Sequence, residues 1–214
     1  MSQYPQAKFL QSSDLGSPFP TESAGEVAFV GRSNAGKSSV INAIVNRRQF
    51  ARTSKTPGRT QLINFFQLND EHTLVDLPGY GFARVSEAKR SGWGRLVTAY
   101  LAHRKSLGGV FLIVDIRRGL VEGDERMLEL AASFELPVHV LLNKADKLKR
   151  GPASAALHKV LNTLDGRATA QSVSALKRTG IDEARAVLAH FLAGNPIEAV
   201  KLPGVLSKRP PRGN

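Results

Sequence analysis

Uninterrupted apolar stretches alternate with segments of helical periodicity along most of this 214-residue chain. Residues 26–30 (Glu-Val-Ala-Phe-Val) read as a short buried strand, and after a glycine-rich turn residues 38–45 carry apolar side chains at helical spacing. Residues 62–68 and 73–76 are extended and separated by the turn pair Asn69 and Asp70, which predicts an antiparallel hairpin. Residues 86–103 read as a helix, weakened at Gly92 and Gly94 by ~1 kcal/mol each relative to alanine. Strands at 110–114 and 138–142 and a weak strand at 168–172 alternate with helices at 124–134, 153–164 and 181–192. The last helix ends at Gly194, with Pro196 just beyond it. Apolar strands bracketed by amphipathic helices predict an α/β fold of three layers, a mostly parallel six-stranded sheet with helices on both faces. Ligands of such sheets bind at the carboxyl ends of the strands.

The candidate chemistry falls at those ends. Gly31-Arg-Ser-Asn-Ala-Gly36-Lys37-Ser38 follows a strand, opens a helix and fits G-x-x-x-x-G-K-[ST]. In that setting backbone N–H groups wrap phosphates, the helix N-terminus adds its dipole, Lys37 reaches the outer phosphates and Ser38 Oγ ligates Mg²⁺. Asp76-Leu-Pro-Gly79 closes the third strand, 39 residues after Lys37, where Asp76 holds the magnesium through water and the Gly79 N–H touches the terminal phosphate. Between them Lys55-Thr-Pro-Gly-Arg-Thr60-Gln is polar and Gly/Pro-punctuated. A threonine hydroxyl there completes the metal shell only while the terminal phosphate is present, which makes the loop a switch; Thr60 is the choice and Thr56 the alternative.

Asn143-Lys-Ala-Asp146 follows another strand. An acceptor-only carboxylate at Asp146 takes two parallel hydrogen bonds from the ring N–H and exocyclic amine of guanine, which adenine does not offer. Asn143 can tie this loop to the phosphate loop, and the stem of Lys144 can cover a face of the purine. Ser174-Ala175-Leu176 lies 28 residues past Asp146, where small residues let a backbone N–H approach the guanine carbonyl. These four motifs, in this order and spacing, mark a guanine-nucleotide-binding P-loop NTPase G domain.

Charge adds a second partner. The chain has 30 Lys+Arg against 18 Asp+Glu, a formal net charge of +12. Residues 47–105 carry a balance of +7 and residues 147–214 one of +8, while the remainder is net acidic. One triphosphate needs few of these cations, so the two basic segments are expected to face a polyanion, against the alternative of a merely solvated surface. With 42% hydrophobic and 22% charged residues the chain is not a disordered basic tail. No cysteine is present, which excludes disulfides, iron–sulfur clusters, thiolate zinc sites and a cysteine nucleophile. The five histidines show no metal-ligand spacing, and His139, alternating within a strand, reads as structural. The longest apolar run is five residues, so no membrane span or secretory signal is expected and the expected location is cytoplasmic. The layout reads as an N-terminal arm at 1–24, a G domain at 25–194 and a basic C-terminal tail at 195–214, with most of the first arm loosely held.

The segments Gly31-Arg-Ser-Asn-Ala-Gly-Lys-Ser-Ser39, Thr56-Pro-Gly-Arg-Thr-Gln61, Val75-Asp-Leu-Pro-Gly-Tyr-Gly81 and Asn143-Lys-Ala-Asp-Lys-Leu148 together resemble the EngB family (also called YihA or YsxC) of Era/TrmE-like bacterial GTPases. The likeness runs over about residues 7–195. It implies a monomeric cytoplasmic GTPase, acting on the large ribosomal subunit precursor and its rRNA rather than at a membrane, and needed for cell division and septation. It implies nucleotide contacts at Gly31, Arg32, Ser33, Asn34, Ala35, Gly36, Lys37, Ser38 and Ser39, at Gly58, Arg59, Thr60, Gln61 and Leu62, at Asp76, Leu77, Pro78 and Gly79, at Asn143, Lys144, Ala145 and Asp146, and at Val173, Ser174 and Ala175. Ser38 and Thr60 fall on the family's Mg²⁺ ligands, with Asp76 acting through water, and Lys37, Thr60 and Gly79 on its catalytic positions.

The position after Gly79 is Tyr80, where Ras-like GTPases carry a glutamine that orients the attacking water. A phenol cannot mimic an amide's paired donor and acceptor, which predicts slow intrinsic hydrolysis governed by a partner. Asn34 resembles the asparagine that recruits K⁺ in some Era/TrmE relatives; the alternative is a loop-stabilising asparagine. Trp93, between glycines and close to Lys89, Arg90, Arg95, Arg104 and Lys105, either stacks on an RNA base or anchors its helix on the sheet. A P-loop kinase or ATPase would have no use for Asn143-Lys-Ala-Asp146, and a membrane-surface GTPase would need a basic amphipathic helix with exposed aromatics, which the chain lacks.

Overall fold

A computed structural model describes residues 4–51, 62–81 and 87–195, with residues 87–90 described by their backbone alone. The strands are β1 (Lys8–Ser13), β2 (Gly25–Gly31), β3 (Ile63–Gln67), β4 (His72–Asp76), β5 (Leu107–Asp115), β6 (Val138–Asn143) and β7 (Thr169–Ser172). The helices are α1 (Lys37–Val45), α2 (Glu87–His103), α3 (Glu122–Ser133), α4 (Arg150–Leu164) and α5 (Ile181–Leu192). They form one sheet in the order β1-β3-β4-β2-β5-β6-β7, in which β2 pairs in parallel with β4 and β5, and β6 in parallel with β5 and β7. The three-layer α/β expectation holds, with one correction: the sheet has seven strands, not six. The extra one is β1, from the segment expected to be a loose arm. It pairs antiparallel with β3, with Ser13 opposite Ile63. Its polar sequence (Lys-Phe-Leu-Gln-Ser-Ser) hides the strand from periodicity, because an edge strand can draw its stability from ladder hydrogen bonds while leaving Phe9 and Leu10 exposed.

Alternation along β2 sorts the helices into two layers. Val27 and Phe29 pack with Val40, Ile41 and Ile44 of α1 and Val187, Leu188 and Phe191 of α5. Ala28 and Val30 face the opposite cluster, built by Leu96, Val97 and Tyr100 of α2, Met127 and Leu128 of α3, and Leu157 and Leu161 of α4. Because β4 and β5 flank β2 on opposite sides, the loop leaving β2 emerges between neighbours reached by different crossovers, the place where open α/β sheets bind ligands.

His139 is structural, as its spacing suggests. The Gln171 amide donates to Gly180 O at 2.7 Å, which turns Gln171 Oε1 toward His139 Nε2 at 3.0 Å. Nε2 therefore carries the ring hydrogen, and Nδ1 accepts from the Thr169 hydroxyl at 2.6 Å. Burial pushes the imidazole pKa down to about 4. The folded state thus resists protonation while the unfolded chain protonates near 6.5, so stability is expected to fall by about 3 kcal/mol as pH drops from 6.5 to 4. Urea unfolding at pH 7 and at pH 4.5 checks this, and His139→Gln should show a visibly smaller drop between the two.

Candidate functional site

The loop from β2 to α1 has the backbone that its glycines and asparagine permit. Asn34 and Gly36 are left-handed, at φ 69° and 96°. A Cβ on Gly36 would sit 2.3 Å from Asn143 Nδ2, and one on Gly31 would sit 2.4 Å from Ile113 O, so both positions require glycine. Helix α1 begins at Lys37 with no side-chain cap and no acidic residue in its first turn. Its first N–H groups and positive dipole end are thereby left for an outside anion.

Lys37 Nζ pairs with Asp76 Oδ1, so the two charged members of the phosphate motifs meet although 39 residues separate them. Ser38, next to Lys37 in the chain, and Asp76 are both buried. A hydroxyl and a carboxylate oxygen form a hard donor set, and a magnesium ion that keeps its remaining positions for water and phosphate fits it.

Gly79 lies against the phosphate loop: a Cβ there would be 3.1 Å from Ser33 Oγ and 3.3 Å from Gly31 O. The next residue is fastened in two ways. The Ser33 N–H donates to Tyr80 O at 2.9 Å, and the Tyr80 hydroxyl donates to Asp124 Oδ1. Burial first, and then the Asp124 carboxylate, drives the Tyr80 pKa far up. Asp124 Oδ2 accepts from the Val121 N–H at 2.9 Å, which closes the start of α3, and burial raises the Asp124 pKa. The Tyr80 hydroxyl is thus committed to the Asp124 carboxylate at the start of α3. Trp93 takes the anchoring alternative: its indole N–H donates to Pro78 O at 2.7 Å and its ring meets Tyr80 edge-on at 5.5 Å.

The base-side loops interlock with the phosphate loop. Asn143 Nδ2 donates to Ala35 O at 3.0 Å, and Asn143 Oδ1 accepts from the Ala175 N–H at 3.2 Å. Lys144, left-handed at φ 66°, places its ammonium 2.6 Å from Asn34 O and 2.9 Å from Asp115 Oδ2. The Ala145 N–H donates to Val173 O at 3.1 Å. The fully buried Ser174 donates its hydroxyl to Asp146 Oδ1 at 2.6 Å and accepts from the Lys177 N–H at 3.0 Å. The Ser174 hydrogen bond lowers the Asp146 pKa, keeping an acceptor-only carboxylate at neutral pH.

Asp115, at the end of β5, is the member that motif spacing missed. The Arg117 guanidinium, and after it the Lys144 ammonium, hold its carboxyl well below the usual range, and it fixes Lys144 over the phosphate loop. An acid closing an apolar strand was the only available signal. Next to it a cavity of about 350 Å³ opens between Arg32, Ser33 and Asn34 on one side and Asp115, Arg117 and Arg118 on the other. Gly58, Arg59, Thr60 and Gln61, with Thr56, lie outside the described residues; Leu62 is described just ahead of β3. Among the cations expected on a polyanion face, Arg104 is buried against Glu26 and belongs to the core, because Glu26 at the foot of β2 demands a counter-charge. Arg95 and Lys105 are exposed; the Lys89 and Arg90 side chains and the tail from residue 196 lie outside the described residues.

Residues 26–144 match the family described as 50S ribosome-binding GTPase. The chain is similar to the probable GTP-binding protein EngB of Coxiella burnetii, with 44% identity over 196 residues covering 90% of this chain and 96% of the other. Among solved structures it resembles that of a probable GTP-binding protein engB, with a TM-score of 0.63 and 22% identity over 78% of this chain and 98% of that one. Its fold also matches that of Era in complex with MgGDPNP and nucleotides 1506-1542 of 16S ribosomal RNA, with a TM-score of 0.60 and 23% identity over 80% of this chain and 58% of that one.

Proposed function

Because the chain belongs to the EngB family of GTP-binding proteins and is a GTPase, we propose that it is a Mg²⁺-dependent switch in assembly of the large ribosomal subunit, working in the cytoplasm and supporting normal cell division and septation. The observation that carries this reading is the match of more than half the chain to a family described by its binding to the 50S ribosome. The surface supports it: Lys147, Lys149, Arg150, Lys177 and Arg178 are all exposed just beyond the base-side loops. Cations in that position let a phosphate-rich partner sense the nucleotide state.

Lys37 and the N-terminus of α1 take the phosphates, Ser38 supplies an oxygen for the metal and Asp76 holds it through water, and Asp146 reads guanine. The bound Mg²⁺ supplies charge neutralisation across the outer phosphates. The Gly79 N–H follows the terminal phosphate, and the Thr60 hydroxyl completes the metal shell while that phosphate is present. With Tyr80 held by Asp124, unaided hydrolysis is slow and a ribosomal partner sets the timing.

Co-sedimentation with ribosomal subunits tests this. GTP should give association with the large subunit or its precursor that exceeds that with GDP or with no nucleotide, and that drops steeply between low and moderate salt. Equal absence from the ribosomal pellet in all three nucleotide states would overturn it.

A further inference from the structure

The Ser33 hydroxyl is buried and has no hydrogen-bond partner among the described residues. A hydroxyl taken out of water without a partner is a standing cost, so its position calls for an explanation. Its surroundings supply one. Ser33 Oγ would lie 3.1 Å from a Cβ on Gly79, so it occupies the seam between the phosphate loop and the Asp76–Gly79 turn, where the terminal phosphate of GTP is met. Its backbone is pinned by the 2.9 Å hydrogen bond from the Ser33 N–H to Tyr80 O, and Tyr80 in turn by Asp124. The residue that follows Gly79 has thus committed its polar group to Asp124, while Ser33 holds one beside Gly79 on a fixed frame.

We propose that Ser33 is a catalytic residue whose hydroxyl donates a hydrogen bond to a terminal-phosphate oxygen of GTP, a role that rests on the phosphate-loop assignment above. Phosphoryl oxygens only accept, and the Ser33 hydroxyl has one hydrogen to donate. In hydrolysis the water oxygen bonds to the terminal phosphorus as the bond to the β–γ bridging oxygen breaks; the bridging electron pair stays on GDP, and the water's proton leaves with inorganic phosphate or solvent. The charge of the transferring group is spread over its three equatorial oxygens during that exchange, so a donor already in place on one of them stabilises it without rearrangement. GDP lacks the acceptor, so the same hydroxyl favours GTP over GDP.

Single-turnover hydrolysis and separate GTP and GDP affinities test this on the full chain. Ser33→Ala should slow single-turnover hydrolysis about 10- to 100-fold and weaken GTP relative to GDP, with GDP affinity within about twofold of the wild type. Ser33→Thr, which keeps the hydroxyl, should recover most of the rate. An unchanged or faster Ser33→Ala enzyme overturns the proposal, as does an equal loss of GTP and GDP affinity, which marks a merely structural hydroxyl. Lys37→Ala reports separately on the underlying assignment: undiminished GTP and GDP binding there would sink the phosphate loop itself, whatever Ser33 does.

Discussion

Asp146→Asn should weaken GTP and GDP binding about 100- to 10,000-fold and raise affinity for xanthine nucleotides. Two hydrogen bonds from guanine to a carboxylate contribute ~1.5–3 kcal/mol each, and the amide replaces one acceptor with a donor that meets the guanine amine head on. Xanthine carries a carbonyl where guanine carries that amine, so the asparagine N–H finds an acceptor there. The loop should survive the change, because the acceptor used by the Ser174 hydroxyl can be kept by the asparagine oxygen. Neighbouring contacts from Asn143 to Ala35 and from Ala175 to Asn143 do not involve the substituted group. Parallel titrations with fluorescent GDP and xanthosine diphosphate check the result, and undiminished guanine affinity would remove Asp146 from the base-reading role.

Arg104→Ala should cost about 3–5 kcal/mol of folding stability, a large share of the ~5–15 kcal/mol available to a domain. Glu26 is fully buried, and Arg104 meets it with Nε at 3.0 Å from Oε1 and Nη2 at 2.6 Å from Oε2. The third arm of the guanidinium donates to Pro20 O at 2.7 Å, which straps the segment before β2 to the end of α2. Among the described residues, removing Arg104 leaves the carboxylate with the Tyr100 hydroxyl, at 2.6 Å, for compensation. The double variant Glu26→Gln with Arg104→Met should recover much of the loss, since it removes both charges and keeps an acceptor for Tyr100. Urea unfolding measures all three proteins. Because Glu26 starts β2 and the phosphate loop lies at its other end, GDP affinity of the folded variants should stay within about twofold.

The motifs were legible because each is local. A glycine that must tolerate φ 96° beside Asn143, or a lysine opening a helix after a strand, leaves its mark within eight consecutive residues. The parallel core strands were legible for a similar reason: β5 and β6, covered on both faces, carry unbroken apolar runs at 110–114 and 140–142. Strand β1 was not, since its evidence is a ladder to residues 50 or more positions away, with half its side chains in solvent. Arg104 was misplaced by the same limit. Nothing around it in the chain distinguishes a surface cation from the counter-charge of a carboxylate 78 residues earlier.

By itself, then, the sequence determined which chemical groups this protein carries and in what pattern: a glycine-rich loop ending in Gly-Lys-Ser, an acidic strand end, the Asn143–Asp146 segment proposed to read guanine and an excess of positive charge, each written in residue type and short spacing. The tertiary structure decided which of those groups are available. It turned Tyr80 onto Asp124, buried Arg104 against Glu26, set Lys144 between Asn34 and Asp115, and left the Ser33 hydroxyl facing Gly79. Availability depends on which partners packing brings within about 3 Å, and hydrogen bonds and ion pairs are formed or forfeited over that distance whatever the separation along the chain.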